Sequence, residues 1–388
     1  MPFSHDPLQD PFTLTPSISL KHRIVLAPMT RMRATDTGIP HPRTKEYYAS
    51  RATPRGLLIS EGLVPHPRGR GFPNTPGIYT EEQVEAWKPI TAAVHEKCGV
   101  FFAQLWHAGR VAVPSQTGGF PPLSSTSIPL PGNHPLFGQH EATEPYVESQ
   151  VMSLSDISGV ISQFVLAARN AVRAGFDGIE IHAANGYIFD QFTHDSINDR
   201  TDAYGGSVEN RLRFLLETVD AISREIGSER VGVRLAPFYI QKGAADSHRV
   251  GMFSRLCEEL EERILAYVHF IEPRHDAAGW NPFAKQPGAE AEEAKPKEQE
   301  MSLWPFRKIL KKTPVIGAGG YDGEIAREAV QEGRLDLVAF GRHFTSNPDL
   351  VRRILENLPL TKYQRSTFYT PGMEGFLGWK TWVEEKAA

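Results

Sequence analysis

The stretch IEIHAANGYIFDQF, residues 179–192, decides the fold and the place of the site. It begins as a short apolar strand and then presents three polar side chains, His182, Asn185 and Tyr187, at spacings of three and two residues. In parallel α/β proteins, ligands bind just beyond the carboxyl ends of the strands. The three side chains can hydrogen-bond, and no nucleophile stands among them. The cluster therefore predicts a site that holds a substrate oxygen and delivers a proton, with the harder chemistry left to a bound group.

Seven further apolar runs, each bounded by turn residues, resemble the strand at 178–182. Such near-continuous apolar runs are typical of strands buried on both faces of a parallel sheet. Segments with helical periodicity lie between most of them. The alternation predicts an α/β fold, a (β/α)8 TIM barrel rather than a doubly wound sheet. The predicted strands are 24–27, 57–60, 100–105, 178–182, 231–235, 267–272, 314–317 and 337–340.

Four helices are predicted from their periodicity, at 154–174, 208–226, 323–332 and 349–357. The first has Ser155 as its predicted N-cap and Gly175 as its C-terminal stop, since serine hydroxyls accept from free N–H groups and glycine adopts the left-handed conformation that ends helices.

We expect residues 1–388 to form a single barrel domain. Segment 1–23 should cap the bottom of the barrel, with a hairpin in 12–23, and insertions at 108–148 and 281–300 should lie at the top. The insertion at 281–300 is dominated by Lys, Glu, Ala and Pro, so it can be a disordered, solvated loop, a mobile lid over the site, or both.

Composition excludes several classes of function. A formal net charge of -4 without a basic stripe argues against nucleic acid as a partner. Cys98 and Cys257 are too few for a disulfide framework and lack zinc-ligand spacing. No apolar run reaches membrane-spanning length, and the first residues lack a signal-peptide pattern. We therefore expect a cytoplasmic protein with no membrane or metal partner, present as a monomer or homodimer.

Polar residues and glycines follow seven of the predicted strands. Glycines after strands seven and eight let backbone N–H groups approach an anion, and the arginine beside the last glycine can grip a phosphate. The alternative is that these glycines only form tight turns. The residues that end the strands include Thr30, Gly62, Gln104, Trp106, Arg234, Gly319, Gly320, Gly341 and Arg342.

Arg234 stands inside an apolar strand, where a charge is costly unless it is compensated. It can form an ion pair with an acid on a neighbouring strand, such as Glu61 or Glu180, or it can place a fixed positive charge beside an anionic ligand ring. Gln104 offers an amide suited to the edge of a heterocycle. His107 and His194 have no comparable polar neighbours in the sequence, and we interpret them as structural or peripheral.

Several motifs carry a family resemblance. The run HAANGYIFDQF at 182–192, followed by DSINDRTDAYGGSVENR at 195–211, resembles the signature of the Old Yellow Enzyme family of FMN-dependent ene-reductases, especially its 12-oxophytodienoate reductase-like members. The likeness continues through nearly the whole chain in the expected order. The other matching motifs are LAPMTR at 26–31, QLWHAGR at 104–110, VRLAP at 233–237, VIGAGG at 315–320, FGR at 340–342 and TFY at 367–369.

The resemblance implies that FMN lies across the top of the barrel. Gln104 would bond the pyrimidine edge of its ring, and Arg234 would neutralise charge near N1 and O2. Thr30 would hydrogen-bond O4 and tune the potential; this position is a cysteine in another branch of the family. The remaining implied contacts are Gly319, Gly320, Gly341 and Arg342 to the phosphate, Ala27, Pro28 and Gly62 to the ring, and Phe368 and Tyr369 at the rim.

The resemblance also implies a reaction. NAD(P)H would reduce FMN, an α,β-unsaturated carbonyl compound would bind with its oxygen on His182 and Asn185 beside the wall residue Trp106, and Tyr187 would protonate the α-carbon. A relative of this kind can instead act as a dehydrogenase, demethylase or isomerase on a specialised metabolite.

A third alternative is a cofactor-free barrel, for instance a metal-dependent lyase or a catalytically silent binding protein. It needs a ligand cluster of His, Asp or Glu at the strand ends, and the sequence shows none there. The segment 238–245 matches no family pattern, so the enone substrate stays open, as does the choice between NADH and NADPH.

Overall fold

The computed structural model describes residues 5–136, 142–239, 241–272 and 302–387. The insertion predicted at 281–300 lies outside these residues, as do 137–141 of the insertion predicted at 108–148.

Eight parallel strands close into a barrel, which confirms the predicted (β/α)8 fold. The strands of the described residues are β1 (Phe12–Thr15), β2 (Ile18–Leu20), β3 (Ile24–Leu26), β4 (Leu57–Leu63), β5 (Val100–Leu105), β6 (Leu123–Ser124), β7 (Asn133–Pro135), β8 (Thr143–Pro145), β9 (Gln150–Val151), β10 (Gly178–Ala183), β11 (Val231–Leu235), β12 (Tyr267–Ile271), β13 (Val315–Ala318) and β14 (Leu337–Phe340). Neighbouring strands of the barrel pair in the order β10-β11-β12-β13-β14-β3-β4-β5, so the last strand of the barrel in sequence, β14, pairs with the first, β3.

The longest helices, Glu81–His95, Leu154–Arg173, Val208–Ile226 and Arg249–Glu262, each bury one face, as amphipathic helices do. None of those described is long and apolar enough to cross a membrane. The α-helices are α1 (Thr44–Ala49), α2 (Glu81–His95), α3 (Leu154–Arg173), α4 (Ile188–Thr193), α5 (Val208–Ile226), α6 (Arg249–Glu262), α7 (Trp304–Ile309), α8 (Gly323–Gln331), α9 (Arg342–Ser346), α10 (Leu350–Leu355) and α11 (Trp382–Ala387).

The N-terminal cap of α3 differs from the prediction. Ser153, not Ser155, is the N-cap, because its side chain accepts the backbone N–H of Asp156 and the Asp156 carboxylate accepts the N–H of Ser153 in return. This reciprocal capping box satisfies two N–H groups at once, which a serine two residues later cannot do. At the other end Gly175 has φ +93°, as expected for a residue that stops a helix.

An antiparallel hairpin, β1 and β2, lies at the amino ends of the barrel strands. Its apolar side chains Leu14, Ile18 and Leu20 belong to one buried cluster with residues from the start of the barrel strands, among them Leu57 and Phe102. The hairpin is held to the barrel by the backbone N–H of Lys21, which donates to the carbonyl of Arg55. The amino end of the barrel is therefore filled by apolar side chains.

Candidate active site at the carboxyl ends of the strands

A cavity of about 300 Å³ lies at the opposite end of the barrel. This volume is within the usual range for small-molecule sites. All the residues that the sequence predicted for the site line this cavity: Ala27, Pro28, Thr30, Gly62, Gln104, Trp106, His182, Asn185, Tyr187, Arg234, Gly319, Gly320, Gly341, Arg342 and Tyr369.

The three polar residues that follow β10 are brought together on one side of the cavity. The rings of His182 and Tyr187 meet edge to face with centroids 5.0 Å apart. Tyr187 also packs edge to face against Trp106, with centroids 5.2 Å apart. Between them, Asn185 adopts φ +62°, a left-handed conformation that asparagine tolerates better than most residues. This turn lets His182 and Asn185 face the cavity together with the tyrosine.

The loop is held by the helix that follows it. The Asp190 carboxylate accepts the backbone N–H of Gly186 at 2.8 Å. The Gln191 side chain donates to the carbonyls of Gly186 and Ala108 at 2.8 and 3.1 Å. Because these partners are buried, the position of the loop is fixed before a ligand binds.

His182 is buried and presents a neutral imidazole. Burial lowers its pKa well below the usual value, and the nearby charges of Arg234 and Lys242 act in the same direction. Its Nδ1 atom is buried and has no hydrogen-bond partner among the described residues. The Nε atom of Arg234 is in the same situation. Because both residues also line the cavity, a ligand bound there can supply the missing partners.

The ion pair considered for Arg234 is not formed. No salt bridge joins it to Glu61 or Glu180 within the described part of the chain. Glu180 instead accepts hydrogen bonds from Gln104 and His269, at 2.7 and 2.8 Å. Glu180 still raises the pKa of Arg234 through its charge, although burial has the larger effect and lowers it.

The two glycine turns form an open cradle after β13 and β14. Gly319 and Gly320 have φ +140° and +87°. A side-chain carbon on Gly319 would lie 2.8 Å from the backbone oxygen of Glu272, so the close approach of the two segments also requires glycine there. Gly341 and Arg342 follow β14 and line the same cavity. Backbone N–H groups in such turns, with a guanidinium beside them, suit a phosphate.

The turn that carries Thr30 is fixed by Glu61 at the end of β4. The Glu61 carboxylate accepts the backbone N–H of Arg31 at 3.1 Å. Burial raises the pKa of Glu61 to about 7, and the N–H of Arg31 acts in the opposite direction. Glu61, one of the two acids that the sequence suggested as ion-pair partners of Arg234, therefore positions the loop after β3.

Lys242 is a site residue that the sequence analysis missed. Its ammonium donates to the carbonyl of Asn185 at 3.1 Å and lies 4.1 Å from the centroid of the Tyr187 ring. Burial lowers the pKa of Lys242 to about 7, and the charge of Asp190 acts in the opposite direction, although the residue as a whole keeps some exposure to solvent. It lies in the segment 238–245, where no motif marked it.

A wall of the cavity comes from the segment that contains Phe368 and Tyr369. The guanidinium of Arg33 donates hydrogen bonds to three backbone carbonyls of this segment. The distances are 2.6 Å to Phe368, 2.9 Å to Gly372 and 2.8 Å to Glu374. One buried side chain thus anchors the segment against the loop after β3.

His107 and His194 do not line the cavity. The His107 Nδ1 accepts the backbone N–H of Gly109 at 3.0 Å, and burial lowers the pKa of His107 to about 3. Both residues are fully buried, in agreement with a structural role. No group of histidine, cysteine, aspartate or glutamate among the described residues could hold a metal ion.

Residues 7–361 match the model of the NADH:flavin oxidoreductase / NADH oxidase family. The chain belongs to this family. Curated relatives extend the match over almost its whole length. The chain is 44% identical over 370 residues to 12-oxophytodienoate reductase 2 of Arabidopsis thaliana, which covers 94% of this chain and 92% of the relative. It is 42% identical over 383 residues to the flavin oxidoreductase hxnT of Emericella nidulans, covering 96% of each.

Comparison with solved structures supports the same family. The old yellow enzyme homologue from Zymomonas mobilis superimposes with a TM-score of 0.85 at 37% identity, covering 96% of this chain and 99% of the other. Morphinone reductase in complex with tetrahydroNAD has a TM-score of 0.84 at 35% identity, covering 96% and 97%. This member of the flavin oxidoreductase family is therefore an FMN-dependent enzyme that uses NAD(P)H as its reductant.

Proposed function

We propose that this enzyme reduces the C=C bond of α,β-unsaturated carbonyl compounds, with the whole chain acting as one FMN-binding domain. The observation that carries the proposal is the unpartnered, neutral imidazole of His182, which lines the cavity together with Asn185 and Tyr187. The relatives named 12-oxophytodienoate reductase and the old yellow enzyme homologue support the same chemistry.

The cavity fits FMN on the chemistry of its lining. The glycine cradle and Arg342 would hold the phosphate, Gln104 and Arg234 would contact the polar edge of the ring, and Thr30 would hydrogen-bond O4. Backbone groups at Ala27, Pro28 and Gly62 would lie against the ring, with Tyr369 at its rim. Bound FMN supplies hydride, which the protein's side chains cannot supply.

His182 and Asn185 would bind the carbonyl oxygen of the substrate, with Trp106 as wall. Both side chains can donate a hydrogen bond while uncharged, and their donation strengthens as negative charge develops on that oxygen. Since the loop is already held by Asp190 and Gln191, the two donors need little rearrangement when the reaction occurs.

Tyr187 would donate the proton to the α-carbon. Burial raises the pKa of its phenol, with the neighbouring Tyr369 acting in the same direction, so the hydroxyl stays protonated at neutral pH. The Lys242 ammonium against the face of its ring favours the phenolate that forms when the proton leaves.

The decisive experiment separates the two half-reactions. Protein loaded with FMN should be yellow, and NADPH should bleach it under anaerobic conditions. Adding 2-cyclohexenone should then restore the colour and yield cyclohexanone in equal amount. A flavin that is reduced by NADPH but never reoxidised by any enone of a broad panel would contradict the proposal and favour the dehydrogenase, demethylase or isomerase alternative.

A further inference from the structure

A polar layer lies inside the barrel beneath the cavity. Glu180 and His269 are fully buried, and Gln104 is nearly so. Barrel interiors are usually filled with branched apolar side chains. A buried carboxylate costs several kcal/mol, on the order of the whole contribution of a large apolar side chain, unless its partners compensate for the lost water. The presence of a carboxylate at this depth therefore needs an explanation, either in partners that compensate its cost or in a function.

The strand register explains how these side chains meet. Glu180 on β10 pairs with Gln104 on β5 and with Gly232 on β11. Gly232 in turn pairs with Tyr267 on β12, and a side-chain carbon at this glycine would lie 2.4 Å from the Tyr267 ring. The absence of a side chain at this position thus leaves room for an aromatic ring beside the carboxylate.

The layer above holds the residues that face the ligand. His182 pairs with Arg234, and Arg234 pairs with His269, on three neighbouring strands. In-register residues of parallel strands point to the same face, so these three side chains share the interior of the barrel. His269 hydrogen-bonds Glu180 of the layer beneath, so it belongs to both layers and links them.

Glu180 determines the orientation of the Gln104 amide. Its Oε1 accepts from Gln104 Nε2 at 2.7 Å, and its Oε2 accepts from His269 Nδ1 at 2.8 Å. An ionised carboxylate only accepts hydrogen bonds, so the reversed amide would place two acceptors against each other. Burial alone would raise the pKa of Glu180, but His269, Arg234 and Gln104 together bring that pKa below its usual value. The carboxylate is therefore ionised, and the carbonyl oxygen of Gln104 is left for the cavity.

We propose that Glu180, supported by His269, is a positioning residue for the cofactor. Glu180 holds the Gln104 amide so that the carbonyl oxygen of Gln104 faces the flavin ring. Its negative charge also opposes the positive charge that Arg234 places beneath that ring. Two consequences follow. The carbonyl oxygen selects a ring edge that carries an N–H group, such as flavin N3. The negative charge of Glu180 also disfavours the extra electrons of the reduced ring, so it keeps the midpoint potential below the value that Arg234 alone would set.

Two variants separate orientation from charge. Glu180→Gln removes the charge but can still accept from Gln104 through its own carbonyl while donating to His269. Glu180→Leu removes both the charge and the acceptor. Each apoprotein is reconstituted with FMN and with FMN methylated at N3, the dissociation constants are measured by quenching of flavin fluorescence, and the midpoint potentials by spectroelectrochemistry. Asp336→Asn is the matched control, because its carboxylate accepts the N–H of Val315 at the amino end of the barrel.

Wild-type protein should bind the N3-methylated cofactor about tenfold or more weakly than FMN, since the methyl group removes a hydrogen bond that Gln104 would otherwise accept. Glu180→Gln should keep this preference and shift the midpoint potential to a more positive value. Glu180→Leu should show the same direction of potential shift and lose most of the preference, because the amide can turn over. Asp336→Asn should change neither.

An unchanged or more negative midpoint potential in Glu180→Gln would overturn the claim that the charge of Glu180 lowers the potential of the flavin. This measurement tests that claim even if the leucine variant does not fold. Equal affinity of wild-type protein for the two cofactors, or an intact preference in a folded leucine variant, would overturn the role in orientation. None of these measurements depends on the substrate, so they remain informative if the enone reaction proves wrong.

Discussion

The two ends of the barrel each bury a histidine, and they differ in what the ring contacts. At the amino end, His22 Nε2 hydrogen-bonds the Thr53 hydroxyl at 2.7 Å and its Nδ1 accepts the backbone N–H of Ile24 at 3.3 Å. At the carboxyl end, His182 Nδ1 has no partner among the described residues. The ring of His22 is therefore satisfied by the protein's own groups. The ring of His182 lines the cavity, where a ligand can supply the missing partner.

The largest effect is expected at the carboxyl end, for Tyr187→Phe. If the phenol donates the proton, enone turnover should fall by between ~10² and ~10⁴-fold, the usual contribution of a general acid. Reduction of FMN by NADPH and the melting temperature should stay unchanged, because only a hydroxyl is removed. Stopped-flow measurement of the two half-reactions checks this. Tyr146→Phe is the control, because Tyr146 is a partly buried tyrosine that packs against the same cluster and does not line the cavity. Equal loss in both half-reactions would contradict the assignment.

At the amino end, Phe102→Ala should affect stability alone. Phe102 is fully buried in the cluster that includes the hairpin. Its loss should lower the free energy of unfolding by about 3–5 kcal/mol, measured by urea denaturation. FMN affinity of the folded variant should match that of the wild type. The exposed Phe120→Ala serves as control, with an expected change below about 0.5 kcal/mol. Weakened FMN binding in folded Phe102→Ala would show that the two ends are coupled.

The pH dependence of stability sharpens the comparison. Burial lowers the pKa of His22 to about 4, so the folded protein keeps the ring neutral while the unfolded chain takes up a proton below pH 6.5. The resulting stability is present above pH 6.5 and is lost as the pH falls toward about 4, by up to about 3 kcal/mol. In His22→Asn, urea denaturation over this pH range should show a slope smaller by one proton. An identical slope in the two proteins would mean that the ring is protonated in the folded state.

The smallest effect concerns ligand affinity at His182. In His182→Ala, phenolic ligands, whose oxygen resembles that of the reaction's enolate, should bind ~10 to ~100-fold more weakly, the loss of one or two good hydrogen bonds. Stability without ligand should change little, because Nδ1 has no partner to lose. Titration followed by the flavin absorbance measures the affinity. His22→Asn should bind phenols like the wild type, so a similar loss in both variants would refute a direct role for His182.

The sequence predicted the barrel well because its strands are buried on both faces. Three of the eight predicted strands, 100–105, 231–235 and 337–340, match the observed bounds, and the others differ by one to three residues at one or both ends. An apolar run bounded by turn residues can be recognised from neighbouring residues alone, so the positions of such strands can be predicted without the tertiary structure. The predicted cap of α3 was wrong because two serines, Ser153 and Ser155, lie near the start of the helix, and the choice between them depends on which one forms the reciprocal pair with Asp156.

The site could be predicted where its residues follow the strands, and not where they come from irregular loops or act on one another. Lys242 donates to the carbonyl of Asn185 from a turn in which its own φ is +59°. No periodic pattern in the sequence predicts such a conformation. Glu180 was considered only as a partner of Arg234. Its bonds to Gln104 and His269 depend on the register of β5, β10 and β12, which the sequence alone does not give.

The anchoring of Phe368 and Tyr369 by Arg33 bears on the order of biosynthesis. Chains emerge from the ribosome amino end first. A nascent chain that has just completed β14 at Phe340 has every barrel strand but lacks the segment that Arg33 will hold. Until some thirty further residues are made, the cofactor site has one side missing. Flavin capture should therefore follow the synthesis of this segment, after the barrel itself has begun to close.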